Sequence, residues 1–229
     1  MRKIFSLCVL VVLTSSFYGF GQSTNKAAVE AFKKGVKAKS SYDLNSAIIN
    51  YTKAIELDPK YAFAYYSRGV AYNALKKYEE ALADFTKAIE LDPKKANAYY
   101  NRGSTYVDLK KYEEALADFT KAKELDPKYA FAYYGRGNAY YALKKYEEAL
   151  AGYTKAIELD PKKADTYYNR GNAYYALKKY EEALADYTKA IELDPKKASA
   201  YNNRSFAYKA LGKTKEADAD FAKAKALKM

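Results

Sequence analysis

Residues 164–197 read ADTYYNRGNAYYALKKYEEALADYTKAIELDPKK. Tyr167, Tyr168, Gly171, Tyr174 and Tyr175 recur at intervals of three and four, which predicts a helix from Ala164 to Leu177. Lys178 and Lys179 mark a turn. From Tyr180 onward, Ala183, Leu184, Tyr187, Ala190 and Ile191 repeat the spacing and predict a second helix running to Leu193. Pro195 stops it, because proline disfavours the helical region for the preceding Asp194. No strand-like alternation occurs anywhere in the chain, so the expected class is all-α.

The same unit returns along the sequence. Pro59, Pro93, Pro127, Pro161 and Pro195 stand at a constant spacing, each inside a Leu-Asp-Pro-Lys tetrapeptide. They divide the chain into six units, 28–61, 62–95, 96–129, 130–163, 164–197 and 198–229. Units four and five differ only at their second, third, sixth and twenty-third positions. A period of this length predicts a solenoid, in which each helix pair buries its apolar face against the next.

These units resemble the tetratricopeptide repeat over residues 28–229. The resemblance rests on small residues at the eighth and twentieth positions, aromatics at the eleventh and twenty-fourth, and the closing proline. In unit three these are Gly103, Ala115, Tyr106, Phe119 and Pro127. Three features depart from the pattern. Tyrosine replaces tryptophan at the fourth position, arginine replaces leucine at the seventh (Arg68, Arg102, Arg136, Arg170 and Arg204), and unit one has Ala31 and Ala38 where aromatics belong, which predicts a partly exposed first helix. The resemblance implies a right-handed α-solenoid of six helix-turn-helix repeats. It also implies a non-enzymatic scaffold whose concave groove takes an extended peptide or protein segment.

In that family the groove is lined by the second, fifth, sixth, ninth, twelfth and thirteenth positions of each first helix. Carried onto this chain, those positions give Phe63, Tyr66 and Asn73 in unit two, and Asn97, Tyr100 and Asn101 in unit three. Unit four contributes Phe131, Tyr134, Asn138 and Tyr141, unit five Tyr168, Asn169, Asn172 and Tyr175, and unit six Asn202 and Asn203. Aromatic faces and amides suit an extended peptide, since amides bond its backbone and tyrosines give contact area at low entropic cost. The competing reading is that these tyrosines only pack within the helix layer. The repeated arginines likewise have two readings, acidic-partner recognition or stems laid over the helix pair, and their recurrence in five units favours the second. The chaperone-binding subclass is excluded: Asn138 and Asn169 match its asparagine pair, but Tyr134, Ser199 and Asn203 occupy its basic positions.

Composition removes most chemistry. The 229 residues contain no histidine, no tryptophan and a single cysteine, Cys8. The commonest general base and metal ligand is therefore absent, and no catalytic site, metal or cofactor is expected. The paired Glu181 and Glu182 recur in four units and, being adjacent on a helix, do not face each other. Asn50-Tyr51-Thr52 and Asn203-Arg204-Ser205 match a glycosylation triplet but fall within predicted helices. The net charge is +12, with the excess concentrated at the two ends. Lys-Lys beside Glu-Glu in the central units marks a solvated surface, so no nucleic-acid partner is expected. The last unit has seven basic and three acidic residues, which suits weak contact with an anionic membrane surface.

Two ends of the chain carry further expectations. Met1-Arg2-Lys3 followed by the apolar run Ile4 to Leu13 reads as a signal peptide over 1–21, cleaved before Gln22, with 22–27 as a short linker. An uncleaved anchor extending through Phe17, Tyr18 and Phe20 is the alternative. Either way the array lies outside the cytoplasm, periplasmic, secreted or envelope-associated. At the other end, positions that are apolar in units two to five become Thr214, Asp218 and Lys225, the polar outer face of a capping unit. That argues against end-to-end stacking there, while the degenerate first unit leaves a self-associating, structural role open.

Overall fold

The computed structural model describes residues 23–227; the leader expected over residues 1–21 lies outside the described residues. Among the described residues there are twelve helices and no strand. They alternate as first and second helices of six pairs: α1 (Lys26–Ser40) with α2 (Leu44–Leu57), α3 (Ala62–Ala74) with α4 (Tyr78–Leu91), and α5 (Ala96–Asp108) with α6 (Tyr112–Leu125). The series continues with α7 (Ala130–Ala142) and α8 (Tyr146–Leu159), α9 (Ala164–Ala176) and α10 (Tyr180–Leu193), then α11 (Ala198–Ala210) and α12 (Thr214–Ala226). The fold is an all-α solenoid of six repeats. It divides into two compact units between Leu109 and Lys110, the first holding α1 to α5 and the second α6 to α12.

Local chemistry sets the helix ends. In each Leu-Asp-Pro-Lys tetrapeptide the aspartate leaves the helix with extended backbone, as the following proline requires. Its carboxylate then accepts from the N–H two residues on, at 3.0 Å for Asp58 with Lys60 and 3.1 Å for Asp194 with Lys196. That Asx turn aims the chain into the next first helix. The turn inside each pair is made by a residue at positive φ: Tyr42, Lys76, Lys110, Lys144 and Lys178 near +60°, and Gly212 in the last. Lys77, Lys145 and Lys179 N–H groups then bond the carbonyls of Tyr72, Tyr140 and Tyr174 at 2.9 Å, closing the first helix.

Packing inside a pair follows from one glycine and one ring. A Cβ added at Gly35, Gly69, Gly137 or Gly171 would lie 2.6–2.9 Å from the ring of Tyr51, Phe85, Tyr153 or Tyr187, respectively. Only a residue without a side chain leaves that ring its slot, and all four rings are fully buried there. Ser205 holds the glycine's place in the last pair, and its ring partner Phe221 is 55% exposed. Thr214, Asp218 and Lys225 are exposed as well. In the first pair the missing aromatics are offset by Phe32, fully buried against the rings of Tyr51, Tyr61 and Phe63 at 5.1–5.3 Å. The outer face of α1 is exposed, and Asn25 caps it by accepting from Ala27 and Ala28.

The buried phenols make stability fall in alkali. Burial pushes the Tyr51 hydroxyl up to about 12, and those of Tyr153 and Tyr187 higher still. The folded chain therefore keeps protons that the unfolded chain releases from about pH 10. Stability is fully present below that pH and is lost as pH rises toward 12, by about 3 kcal/mol for Tyr51 alone. Tyrosinate absorbance should rise in step with a cooperative loss of helical circular dichroism. A smooth titration with the helix signal intact would contradict this.

Candidate functional site

The five arginines at the seventh position act inside the fold. Arg170 donates from Nε and Nη2 to both oxygens of Asp186 at 2.8 Å, and from Nη1 to Thr154 Oγ1 of the preceding repeat at 3.1 Å. Arg68 makes the same three bonds to Asp84 and Thr52, and Arg204 to Asp220 and Thr188. Arg102 bonds Thr86 at 3.1 Å. Hydrogen bonding to Asp186 and Asp220 holds the Arg170 and Arg204 guanidinium groups above their usual range. The clamps of Arg68, Arg170 and Arg204 thus join the two helices of a repeat to each other and to the repeat before. Arg136 differs. Gly152 stands where the aspartate would be, Arg136 Nε is buried without a hydrogen-bond partner, and the guanidinium rests over the Tyr140 ring at 5.7 Å.

On the first-helix face of the second unit, side chains of successive repeats are tied together. Asn169 Nδ2 donates to Tyr134 Oη at 2.9 Å and to Asn138 Oδ1 at 3.1 Å. Tyr153 donates to the same Asn138 oxygen at 2.9 Å. One repeat later Asn203 Nδ2 donates to Tyr168 Oη at 3.0 Å and Asn172 Oδ1 at 2.8 Å, with Tyr187 also donating to Asn172. Both N–H groups of Asn169 and of Asn203 are therefore spent within the fold. The rings of Tyr134 and Tyr168 lie against Tyr153 and Tyr187 at 6.1 and 6.0 Å, and burial raises the Tyr134 hydroxyl.

Two recesses open on this face. One, of about 90 Å³, is lined by Phe131, Tyr134, Ala156, Asp160, Lys163 and Asp165, among others. Phe131 is 47% exposed at its wall, with Lys163 Nζ 5.8 Å from the ring centre, and Asp165 pairs with Lys197. The second, of about 190 Å³, is lined by Tyr141, Asn172, Tyr175, Ala176, Tyr187, Asn203 and Phe206. Tyr141 and Tyr175 are each 36% exposed, and each leans its ring on the tyrosine that opens the following helix, Tyr146 or Tyr180. Among the described residues no group of histidine, cysteine, aspartate or glutamate is placed to hold a metal, and no helix is long and apolar enough to cross a membrane.

Profiles of the tetratricopeptide repeat match residues 62–95, 96–129, 164–197 and 186–219, and a TPR repeat profile matches 41–76 and 137–178. The chain belongs to the tetratricopeptide repeat family. No curated protein sequence matches this tetratricopeptide repeat protein. Among solved structures, MamA protein is 28% identical, covering 76% of this chain and 95% of its own, with a TM-score of 0.67. YrrB, described as a TPR protein with an unusual peptide-binding site, is 29% identical over 77% of this chain and 91% of its own, TM-score 0.63. PilF of Pseudomonas aeruginosa, 20% identical over 88% and 92%, shares the fold with a TM-score of 0.78.

The residues expected to line a tetratricopeptide groove fall into distinct roles. Phe131 and Tyr134 border the first recess, and Tyr141, Asn172, Tyr175 and Asn203 the second. Asn138, Tyr168 and Asn169 serve the ties between repeats, while Asn202 reaches only its neighbour Asn203, at 3.4 Å. In the first unit, Phe63 packs into the core and stacks on Tyr66, whose hydroxyl burial pushes up to about 12 and which accepts from Asn101 at 2.9 Å. Asn97 has a buried Oδ1 without a hydrogen-bond partner, and Asn73 and Tyr100 are half-buried. Phe206 and Tyr187 were not among the expected residues. Phe206 sits at the ninth position of unit six, where the same positional rule points to it.

Proposed function

We propose that this chain is a non-enzymatic scaffold, exported from the cytoplasm, that binds a segment of another protein along its first-helix face. The observation that carries the reading is the row of exposed rings Tyr141, Tyr175 and Phe206 around one recess, on a backbone held by the arginine clamps and asparagine ties. Anchors that are already rigid bind with little ordering cost. The solved relative YrrB, described as having a peptide-binding site, adds support for a peptide or protein partner.

A photo-cross-linking residue at position 175, compared with one at the exposed Glu182 of α10, tests this in the native cell envelope. A partner should be captured from position 175 and lost when the same, folded chain also carries Tyr141→Ser and Phe206→Ser. Capture from position 182 alone would reject the reading. A second reading, self-association, has its own observation in the exposed Phe221 ring. It expects a sedimentation coefficient that rises with concentration and ceases to do so in Phe221→Ser.

A further inference from the structure

We propose that the recess between Tyr141, Tyr175 and Phe206 receives an aromatic side chain of the partner segment, and that Lys209 binds an acidic residue next to it. The proposal rests on the reading of this face as the binding surface and adds the chemistry of what binds. The size comes first: about 190 Å³ is below the range of small-molecule pockets, about 300–1,000 Å³. It exceeds the ~150 Å³ that takes up a benzene molecule in a protein interior. One phenyl-sized group fits. The walls are rings, with Tyr187 buried at the base and Tyr141, Tyr175 and Phe206 exposed around it, which favours a ring over an aliphatic chain.

The polar groups narrow the class further. Asn172 Oδ1 already accepts two bonds and Asn203 Nδ2 already gives both of its own, so neither atom is left for a ligand. No carboxylate lines this recess, in contrast to the neighbouring one with Asp160 and Asp165. Lys209 takes the twelfth position in unit six, the position that Tyr141 and Tyr175 hold in units four and five. It follows Phe206 by three residues on α11, so the two share a face. It is exposed and makes no ion pair among the described residues. The aromatic row therefore ends in an unneutralised cation within the most basic unit of the chain, and the complementary ligand carries a negative charge beside its ring.

Selection of random displayed peptides on the full chain, followed by fluorescence anisotropy with the enriched sequences as synthetic peptides, tests this. Enriched peptides should carry Phe, Tyr or Trp beside Asp or Glu, and their affinity should fall with added salt. Phe206→Ser and Lys209→Glu should each weaken binding by about tenfold or more. Lys209→Glu should also transfer preference to peptides in which Lys or Arg replaces the acid. Lys215→Glu, on the exposed surface of α12, should leave affinity unchanged, and circular dichroism should show every variant folded. Peptides that depend on Tyr141 and Tyr175 but carry no acid and ignore Lys209→Glu would overturn this inference while leaving the binding face in place. Absence of any enriched peptide, or binding indifferent to Tyr141, Tyr175 and Phe206, would overturn both.

Discussion

Arg170→Met lowers the unfolding free energy by about 3–5 kcal/mol, while Arg136→Met, the same change one repeat earlier, shifts it by less than about 1 kcal/mol. The difference lies in what each arginine leaves behind. Arg170 and Asp186 have side chains 18% and 7% exposed and share two bonds of 2.8 Å. Removing the guanidinium strands a carboxylate out of water and frees Thr154 from its tie. Arg136 faces Gly152, so its loss strands no charge and removes a buried N–H that has no acceptor. The gap at Gly152 is not spare room: a Cβ there would lie 3.0 Å from both Gly137 N and Tyr133 O, because α7 and α8 approach where glycine meets glycine. Urea unfolding followed by circular dichroism reads the comparison. Adding Asp186→Ala to Arg170→Met should recover most of the loss, since the stranded charge goes with it. Equal midpoint shifts for the two arginines would show that the clamps do not hold the repeats.

Phe85→Ala should cost about 3–5 kcal/mol, and Phe221→Ala, at the equivalent position of unit six, less than about 0.5 kcal/mol. Phe85 is completely buried over Gly69, where a Cβ would come within 2.9 Å of its ring. Truncation there loses the transfer energy of a whole ring and opens a cavity between α3 and α4. Phe221 is 55% exposed, and beside it Ser205 has the Cβ that the other pairs lack. Its ring has little burial to lose. Thermal or urea unfolding of the two alanine variants separates them. A Phe221→Ala loss comparable with that of Phe85→Ala would place the Phe221 ring in the core in solution.

The groove positions illustrate how far residues speak for themselves. That Tyr141, Tyr175 and Asn172 share a face follows from helical spacing, and they line one recess. That the amides of Asn169 and Asn203 are unavailable does not follow from spacing. Their acceptors, Tyr134 and Tyr168, lie 35 residues back, in the preceding repeat. Asparagine at the sixth position looks alike in units three, five and six, yet Asn101 meets only the Tyr66 hydroxyl across the repeats, because Val70 holds the ninth position where Asn138 and Asn172 accept.

By itself the sequence determined the period and the alternation of helix and turn, because each is written in local spacing and repeated in several units. Proline after Asp58, Asp92, Asp126, Asp160 and Asp194 ends a helix wherever it stands, so those boundaries needed no tertiary information. The tertiary structure alone decided which polar groups remain for a partner. Arg170 and Arg136 occupy the same position in nearly identical units, and one is neutralised while the other is not, according to whether residue 186 or 152 supplies a carboxylate from the facing helix. Ring burial was decided the same way, between Phe85 over Gly69 and Phe221 beside Ser205. The reason is physical: helix formation depends on neighbours a few residues apart, whereas a hydrogen bond or a buried ring depends on which side chain the next helix brings against it.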